Sequence, residues 1–302
     1  MNTNSQDGRA VIRLGHSPDP DDAFMWWPLF DHERGPAPLT SPRFRFEQVV
    51  EDIEELNRRA CESADQDALE ITGISCACYP LVADRYALTA CGASLGDGYG
   101  PRLVARQPTT LEELAASRPT IAVPGERTTA YLVSRLMFKG AEVEWRPMLF
   151  DRIPGEIASG AVDAGVVIHE SQLTFEEEGL HQIQDLGVWW QERNRLPLPL
   201  GANVIRRGLD ERHGAGATRE IVDLLESSLQ HAMEHREESI IRAQEWGRGI
   251  DAGITGAFVD MYVNRWTLDY GPRGREAVRA LLIQAADEGH LPACPDPEFI
   301  SA

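Results

Sequence analysis

Short apolar runs that end in turn residues and lead into helical patterns recur along the chain, and they restrict the fold more than any other feature. Residues 10–14 form one such run, which breaks at Gly15 before the turn residues HSPDPDD and a helix that we predict to open near Asp22. The same order recurs where Thr120–Val123 gives way to PGER and then to TTAYLVSRLMF. Buried strands that alternate with helices predict an α/β fold, in which the loops at the strand ends carry function.

The alternation continues over the first two thirds of the chain and then stops. We predict strands at Phe44–Val50 and in DAGVVI, helices in EDIEELNRRAC and at Ile153–Ser159, and a strand passing into a helix in ITGISCACYPLV. From Thr218 onward the pattern predicts three helices, in REIVDLLESSLQHAMEHREESIIRAQEW, GAFVDMYVNRWTL and GREAVRALLIQAADEG. The first of these is predicted as one long amphipathic helix.

The length of the chain, 302 residues, favours two domains over one. The order α/β, α/β and then helical predicts a first lobe of residues 10–104 and 202–302, and a second lobe of residues 105–201. The chain is predicted to cross between the lobes near residues 103–107, after a glycine-rich stretch, and near residues 198–203, in a proline-rich stretch.

The net charge of −19 argues against nucleic acid and membrane surfaces as partners, because both need a basic footprint. It also means that an anionic ligand must be held by a local device. The first ten residues lack a basic start followed by an apolar run, and no apolar stretch is long enough to span a bilayer. The five cysteines are odd in number and irregularly placed, which is typical of reduced thiols. We therefore expect a soluble cytoplasmic protein.

The segment DAGVVIHESQLTF contains the strongest candidate for chemistry. His169 and Glu170 follow its buried run directly, so His169 is predicted at the carboxyl end of a strand, the edge that faces the ligand crevice in open α/β sheets. An imidazole there can accept a proton near neutral pH and act as a general base. A structural histidine with its hydrogen bonds satisfied is the alternative.

The segment PGERTTAYLVSRL places Thr128 and Thr129 where a helix begins. Threonine is a good N-cap, and the free N–H groups of a helix start favour an anion. The pattern predicts a cap and a candidate anion site; capping without a ligand is the alternative.

Other motifs favour structural interpretations. The SPDPDD turn does not match a calcium loop and is interpreted as a turn with a helix cap. Two residue pairs lack the further ligands of a zinc site. They are Cys76 and Cys78, predicted on one face of a strand, and His231 and His235, four residues apart. GASLGDGYGP is a predicted flexible turn without a dinucleotide fingerprint, and no nucleophile-elbow serine supports a hydrolase.

Taken in order, these motifs resemble the 1,4-dihydroxy-6-naphthoate synthase family of the futalosine route to menaquinone. The resemblance runs nearly end to end. The segments that carry it are RLGHSPDPDDAF, EDIEELN, VPGERTTAYL, DAGVVIHESQLTFEEEGL, DLGVWWQERNRLPLPLG and YVNRWTLDYG.

The resemblance implies a type II periplasmic-binding-protein-like fold, with two α/β lobes that close on a ligand. It implies a lyase that releases the sugar-derived part of cyclic dehypoxanthinyl futalosine and leaves the dihydroxynaphthoate. His169, in IHES, maps to the proposed base of the family, and no metal or organic cofactor is required. The expected contacts to the substrate, a small anionic carboxylate, are Thr128, Thr129, Ser75, Ser17 and Glu170.

The chain departs from the motifs that the family usually carries. Asp19, Asp21 and Ala23 stand where its opening motif has cysteine, asparagine and threonine, and Gly73 stands where it tends to have lysine. Added carboxylates and a lost cation make binding of an anionic group less favourable there. Two alternatives therefore stay open: a sibling enzyme on a related carboxylate, such as chorismate dehydratase, and a non-catalytic protein that binds small carboxylates.

Overall fold

The computed structural model describes residues 8–32, 35–246 and 252–302. Twelve strands occur in this part of the chain: β1 Ala10–His16, β2 Phe44–Val50, β3 Ile71–Ser75, β4 Tyr86–Thr89, β5 Ser94–Gly96, β6 Arg102–Ala105, β7 Thr120–Val123, β8 Glu144–Pro147, β9 Ala164–Val167, β10 His181–Asp185, β11 Leu198–Arg206 and β12 Phe299–Ile300.

Fourteen α-helices accompany them in the described residues: α1 Pro20–Trp26, α2 Ile53–Glu62, α3 Tyr79–Val82, α4 Leu111–Ala116, α5 Thr129–Met137, α6 Ile153–Ser159, α7 Ser171–Thr174, α8 Leu186–Asn194, α9 Leu209–His213, α10 Ala217–Glu234, α11 Arg236–Trp246, α12 Ala252–Tyr262, α13 Arg265–Leu268 and α14 Gly271–Asp287. No helix among the described residues combines the length and the apolar character needed to cross a membrane.

The strands form two mixed sheets. Sheet one has the order β12-β4-β11-β3-β1-β2, with β5 paired to β11, and sheet two has the order β10-β6-β9-β7-β8. Within sheet one, β1 is parallel to β2 and β3; within sheet two, β7 is parallel to β8 and β9. The predicted lobe limits fall inside β6 and β11, and they stay a prediction.

The strands nearest the site are short and buried on both faces. Every residue of β3 and of β9 is buried, as expected for strands covered on both faces. The largest apolar cluster contains Ile74 of sheet one together with Val123 and Val166 of sheet two, so side chains of both sheets share one packed core. Parallel strands direct their carboxyl ends to one edge, which places the loops after β1 and β3 together, and likewise the loops after β7 and β9.

Three predictions about secondary structure were wrong. The long helix over 219–246 is two helices, because the backbone leaves helical geometry at His235. The bend lets α11 pack on α1, and the indole of Trp27 donates a hydrogen bond of 2.9 Å to the buried hydroxyl of Ser239. Similarly, GAFVDMYVNRWTL is divided by Asn264, whose side chain caps α13.

The third error concerns Cys76 and Cys78. They lie in a 3-10 turn, Cys76–Cys78, and not on a strand, because β3 ends at Ser75 and the chain turns at once into α3. The glycine-rich stretch that was predicted as a turn also contains the short strand β5.

Candidate active site

A cleft of about 730 Å³, its open mouth included, lies between the two sheets at the carboxyl ends of their strands. Five of the six residues predicted as catalytic or substrate-binding line it, namely Ser17, Ser75, Thr128, Thr129 and His169. Glu170 is not among the lining residues; it stands at the N-terminus of α7, where its carbonyl accepts the N–H of Leu173.

His169 comes directly after Ile168, just past the end of β9. Its side chain contacts Asp19, which lies between β1 and α1 on the other sheet. Its Nδ1 lies 3.1 Å from Oδ2 of Asp19, and both side chains are largely buried, with 13% and 7% of their surfaces exposed. The ring also packs edge-on against Phe150, with centroids 4.4 Å apart. These contacts hold the imidazole at the cleft in a defined orientation.

The backbone of His169 is in the left-handed region, with φ of 54°, which is uncommon for a residue with a side chain. Gln172 supports this conformation. With its NH2 group turned toward the carbonyl of Gly100, its amide oxygen accepts the N–H of His169 over 3.1 Å. The strained residue is therefore held by a neighbouring side chain that also lines the cleft.

The interpretation of the acidic turn as a side-chain cap was wrong for Asp19. Its backbone stands at the N-cap of α1, but its side chain makes no capping hydrogen bond, because the carboxylate turns toward His169. Burial raises the pKa of Asp19 well above its ordinary value; the hydrogen bond with Ser17 opposes this, and the carboxylate of Asp22 adds to it. Burial thus favours the neutral form of this carboxyl, and a positive charge on the imidazole beside it would favour the ionised form.

The other two carboxyls of the turn also line the cleft. Oδ2 of Asp22 accepts the N–H of Ser17 over 2.8 Å, and Oδ2 of Asp21 accepts the hydroxyl of Ser94 over 3.2 Å. Burial, followed by repulsion from Asp22 and Asp19, raises the pKa of Asp21 to about 7. Of the described residues, no lysine or arginine lines the cleft.

The paired threonines use their hydroxyls within the protein. The hydroxyl of Thr128 donates to the carbonyl of Gly125 and accepts the N–H of Tyr131, so the predicted cap is confirmed. The hydroxyl of Thr129 donates to the carbonyl of Leu200 and accepts the N–H of Ala77. What this helix start presents to a ligand is its backbone, because the first N–H groups of a helix have no acceptor within it.

Ser75 ends β3 and is held by Asn57 of α2, which is fully buried. The side chain of Asn57 donates to the Ser75 hydroxyl over 3.0 Å and accepts its N–H over 2.8 Å. The hydroxyl oxygen of Ser75 is thus fixed as an acceptor, and its hydrogen can be directed to a ligand in the cleft.

Several lining residues were missed from the sequence: Gln172, Asn203, Phe258 and Tyr262, together with Ser94 of β5. An asparagine inside the otherwise apolar run GANVI was a usable signal, because a buried polar side chain needs a partner or a function. Tyr262 lies far along the chain, and only the packing of α12 on the cleft brings its hydroxyl within 2.9 Å of Gln172.

The fold and the site define a two-lobed α/β protein with a small-molecule cleft between its lobes. The structure is similar to the alkanesulfonate-binding protein SsuA from Xanthomonas axonopodis pv. citri, solved with bound MOPS, with a TM-score of 0.68 at 11% identity over 97% of this chain and 98% of that one. This likeness confirms the periplasmic-binding-protein-like fold.

Residues 12–287 match the family described as "Menaquinone biosynthesis", and the chain belongs to that family of enzymes. It is 40% identical to a 1,4-dihydroxy-6-naphthoate synthase from Thermus thermophilus, over 96% of this chain and 99% of the relative. It is 35% identical to a 1,4-dihydroxy-6-naphthoate synthase from Streptomyces coelicolor, over 94% of this chain and 95% of the relative.

Proposed function

We propose that this protein is a lyase that converts cyclic dehypoxanthinyl futalosine to 1,4-dihydroxy-6-naphthoate in menaquinone biosynthesis. The observation that carries the proposal is the His169–Asp19 contact of 3.1 Å in the cleft, in a chain 40% identical to a relative of that name over nearly its whole length. A largely buried imidazole held by a carboxyl is suited to move one proton.

In the proposed mechanism, Nε2 of His169 takes the acidic proton of the substrate. The electron pair of the broken C–H bond forms the new ring double bond. The bond to the sugar-derived part breaks, its electron pair leaves with that part, and the imidazolium returns the proton to it. Aromatisation of the ring drives this elimination. Asp19 accepts the N–H of Nδ1, which keeps the lone pair on Nε2, and it stabilises the imidazolium that forms.

The substrate carboxylate is proposed to lie at the start of α5. The N–H groups of Thr129 and Ala130, both lining the cleft, and the hydroxyl of Ser75 supply donors without a basic side chain. Because the hydroxyls of Thr128 and Thr129 are bonded within the protein, we propose that these two residues act through their backbone and by positioning the helix. Contacts from Ser17 and Glu170, and the cytoplasmic location, stay predictions.

The test is turnover by the purified protein with cyclic dehypoxanthinyl futalosine, following the fluorescent naphthoate and confirming its mass. The Thermus thermophilus relative, assayed in parallel, is the positive control. The proposal predicts naphthoate at a rate proportional to enzyme concentration. Absence of product under conditions in which the control enzyme forms it would refute the substrate assignment, and chorismate then becomes the next substrate to assay.

The same samples distinguish a lyase from a non-catalytic binding protein. A binder is stabilised by its ligand through mass action without consuming it. A rise in thermal midpoint with the substrate, with no loss of substrate and no naphthoate after long incubation, would identify a carboxylate-binding protein instead of a lyase.

A further inference from the structure

A cross-strand pair in sheet one leaves space inside the cleft. Gly73 of β3 lies directly opposite Asn203 of β11, and residues directly opposite in an antiparallel pair project to the same face. Gly73 has no side chain to fill its place. A Cβ built there would meet nothing closer than 3.8 Å, and its nearest neighbours would be Oδ2 of Asp22, the carbonyl of Gly15 and Oδ1 of Asn203.

The amide of Asn203 points an acceptor at this space. Its Nδ2 donates to the carbonyl of Gly92 over 2.7 Å, which fixes the orientation of the side chain. Its Oδ1 is buried, in a residue only 2% exposed, and has no hydrogen-bond partner among the described residues. Leaving a buried acceptor without a donor is unfavourable, so the position favours a donor supplied by a ligand.

Carboxyl groups line the same cleft, and Oδ2 of Asp22 borders the space beside Gly73. Asp22 and Asp21 line the same cleft, and Ser94, which pairs with Gly201 of β11, directs its hydroxyl to Asp21. We refer to Gly73, Asn203, Asp21, Asp22 and Ser94 as the acceptor pocket. It differs in chemistry from the start of α5, where the cleft presents N–H donors.

We propose that the acceptor pocket binds hydroxyl groups of the ligand, those of the sugar-derived part of the substrate, while the start of α5 binds the carboxylate. This inference rests on the proposed function for the identity of the ligand and on the geometry of Asn203 and Gly73 for the kind of group bound.

Hydroxyls suit the acceptor pocket better than a cation does. A hydroxyl can donate a hydrogen bond to Oδ1 of Asn203 and accept one from the O–H of a neutral carboxyl. The raised pKa of Asp21, about 7, provides such a carboxyl for part of the population near neutral pH. A site that hydrogen-bonds a substrate hydroxyl discriminates strongly against an analogue that lacks it.

Three five-carbon carboxylates test the inference by calorimetric titration: D-ribonate, pentanoate and 5-aminopentanoate. The wild-type protein should bind D-ribonate at least about fivefold more tightly than pentanoate, as expected for one or more net hydrogen bonds. Equal affinities, or no measurable binding of D-ribonate, would overturn the inference. Tighter binding of 5-aminopentanoate than of D-ribonate would overturn it in favour of a cation site.

Two variants locate the effect. Gly73→Ala places a methyl group in the acceptor pocket with ordinary contacts of 3.8 Å, and Asn203→Leu removes the acceptor. Each should reduce the preference for D-ribonate and raise KM for the substrate about fivefold or more. Gly155→Ala, in α6 with nothing within 4 Å of the added methyl, is the matched control and should change neither. An unchanged preference in folded Gly73→Ala would overturn the inference.

The two proposals fail in different ways. If the wild type forms naphthoate and Gly73→Ala keeps the KM of the wild type, the inference is wrong and the lyase stands. If no naphthoate forms and the preference for D-ribonate is present and is lost in Gly73→Ala, the lyase is wrong and the hydroxyl site stands.

Discussion

Asp19 and His169 follow strands of different sheets, yet Oδ2 of the aspartate lies 3.1 Å from Nδ1 of the histidine. The proposed base is therefore oriented by a residue from across the cleft. This arrangement links the position of the imidazole to the apposition of the two sheet edges. In the proposed mechanism the acidic turn therefore orients the base, which a helix cap would not do.

Replacement of Asp19 by asparagine should lower kcat by on the order of 10²-fold or more, with little change in KM, because the amide no longer favours the required tautomer of His169. The control is Asp223→Asn on α10, where the side chain is exposed, and it should leave both constants unchanged. Steady-state kinetics over a range of pH measures the effect. A rise in KM with wild-type kcat would mean that Asp19 only binds substrate.

Asp21→Asn should change the pH dependence of stability. Burial raises the folded-state pKa of Asp21 to about 7, above its unfolded value, so its favourable contribution is present below pH 4 and is lost as the pH rises toward 7. The variant has no such loss. Its thermal midpoint should match that of the wild type near pH 4 and exceed it near pH 8; a difference that does not vary with pH would contradict the assignment.

Thr128→Ala removes the N-cap of α5 and should lower the free energy of unfolding by about 1–2 kcal/mol. Thr128→Ser keeps the hydroxyl that accepts the N–H of Tyr131 and should keep most of the stability. Chemical denaturation of the three proteins gives the comparison. An equal loss in the serine variant would assign the effect to packing of the methyl group.

Cys61 should be the most reactive thiol. Its Sγ lies 3.1 Å from Sγ of Cys78, and the hydrogen bond between them, assisted by Arg127 and opposed by burial, lowers the pKa of Cys61 to about 7. Burial raises the pKa of Cys294, which is also partly exposed. At pH 7 iodoacetamide should modify Cys61 at least about tenfold faster than Cys294, as measured by peptide mass spectrometry. The reverse order would contradict the assignment.

Local pattern was enough to predict several elements at their observed places. The strand Phe44–Val50 occurs with the predicted bounds and the helix Ile153–Ser159 at its predicted place, since their signals are carried by neighbouring residues. The break at His235 was not predictable in this way. The packing that accompanies it joins residues far apart in sequence, as in the hydrogen bond between Trp27 and Ser239, which are 212 positions apart.

The same limit applies to the site. The place of His169 after a buried strand and the cap at Thr128 follow from local sequence. The orientation of Asp19 depends on a contact 150 positions along the chain, and the free acceptor of Asn203 depends on its register opposite Gly73. Such pairings are set by the packing of the sheets and are not encoded in any one segment.

The role of His169 as the base is tested by comparing wild type with His169→Gln, measuring both kcat with cyclic dehypoxanthinyl futalosine and the Kd of the variant for that substrate by calorimetry. We expect a loss of kcat of roughly 10²–10⁴-fold, with Kd close to the wild-type KM. A variant that keeps wild-type kcat would contradict the assignment of His169 as the base.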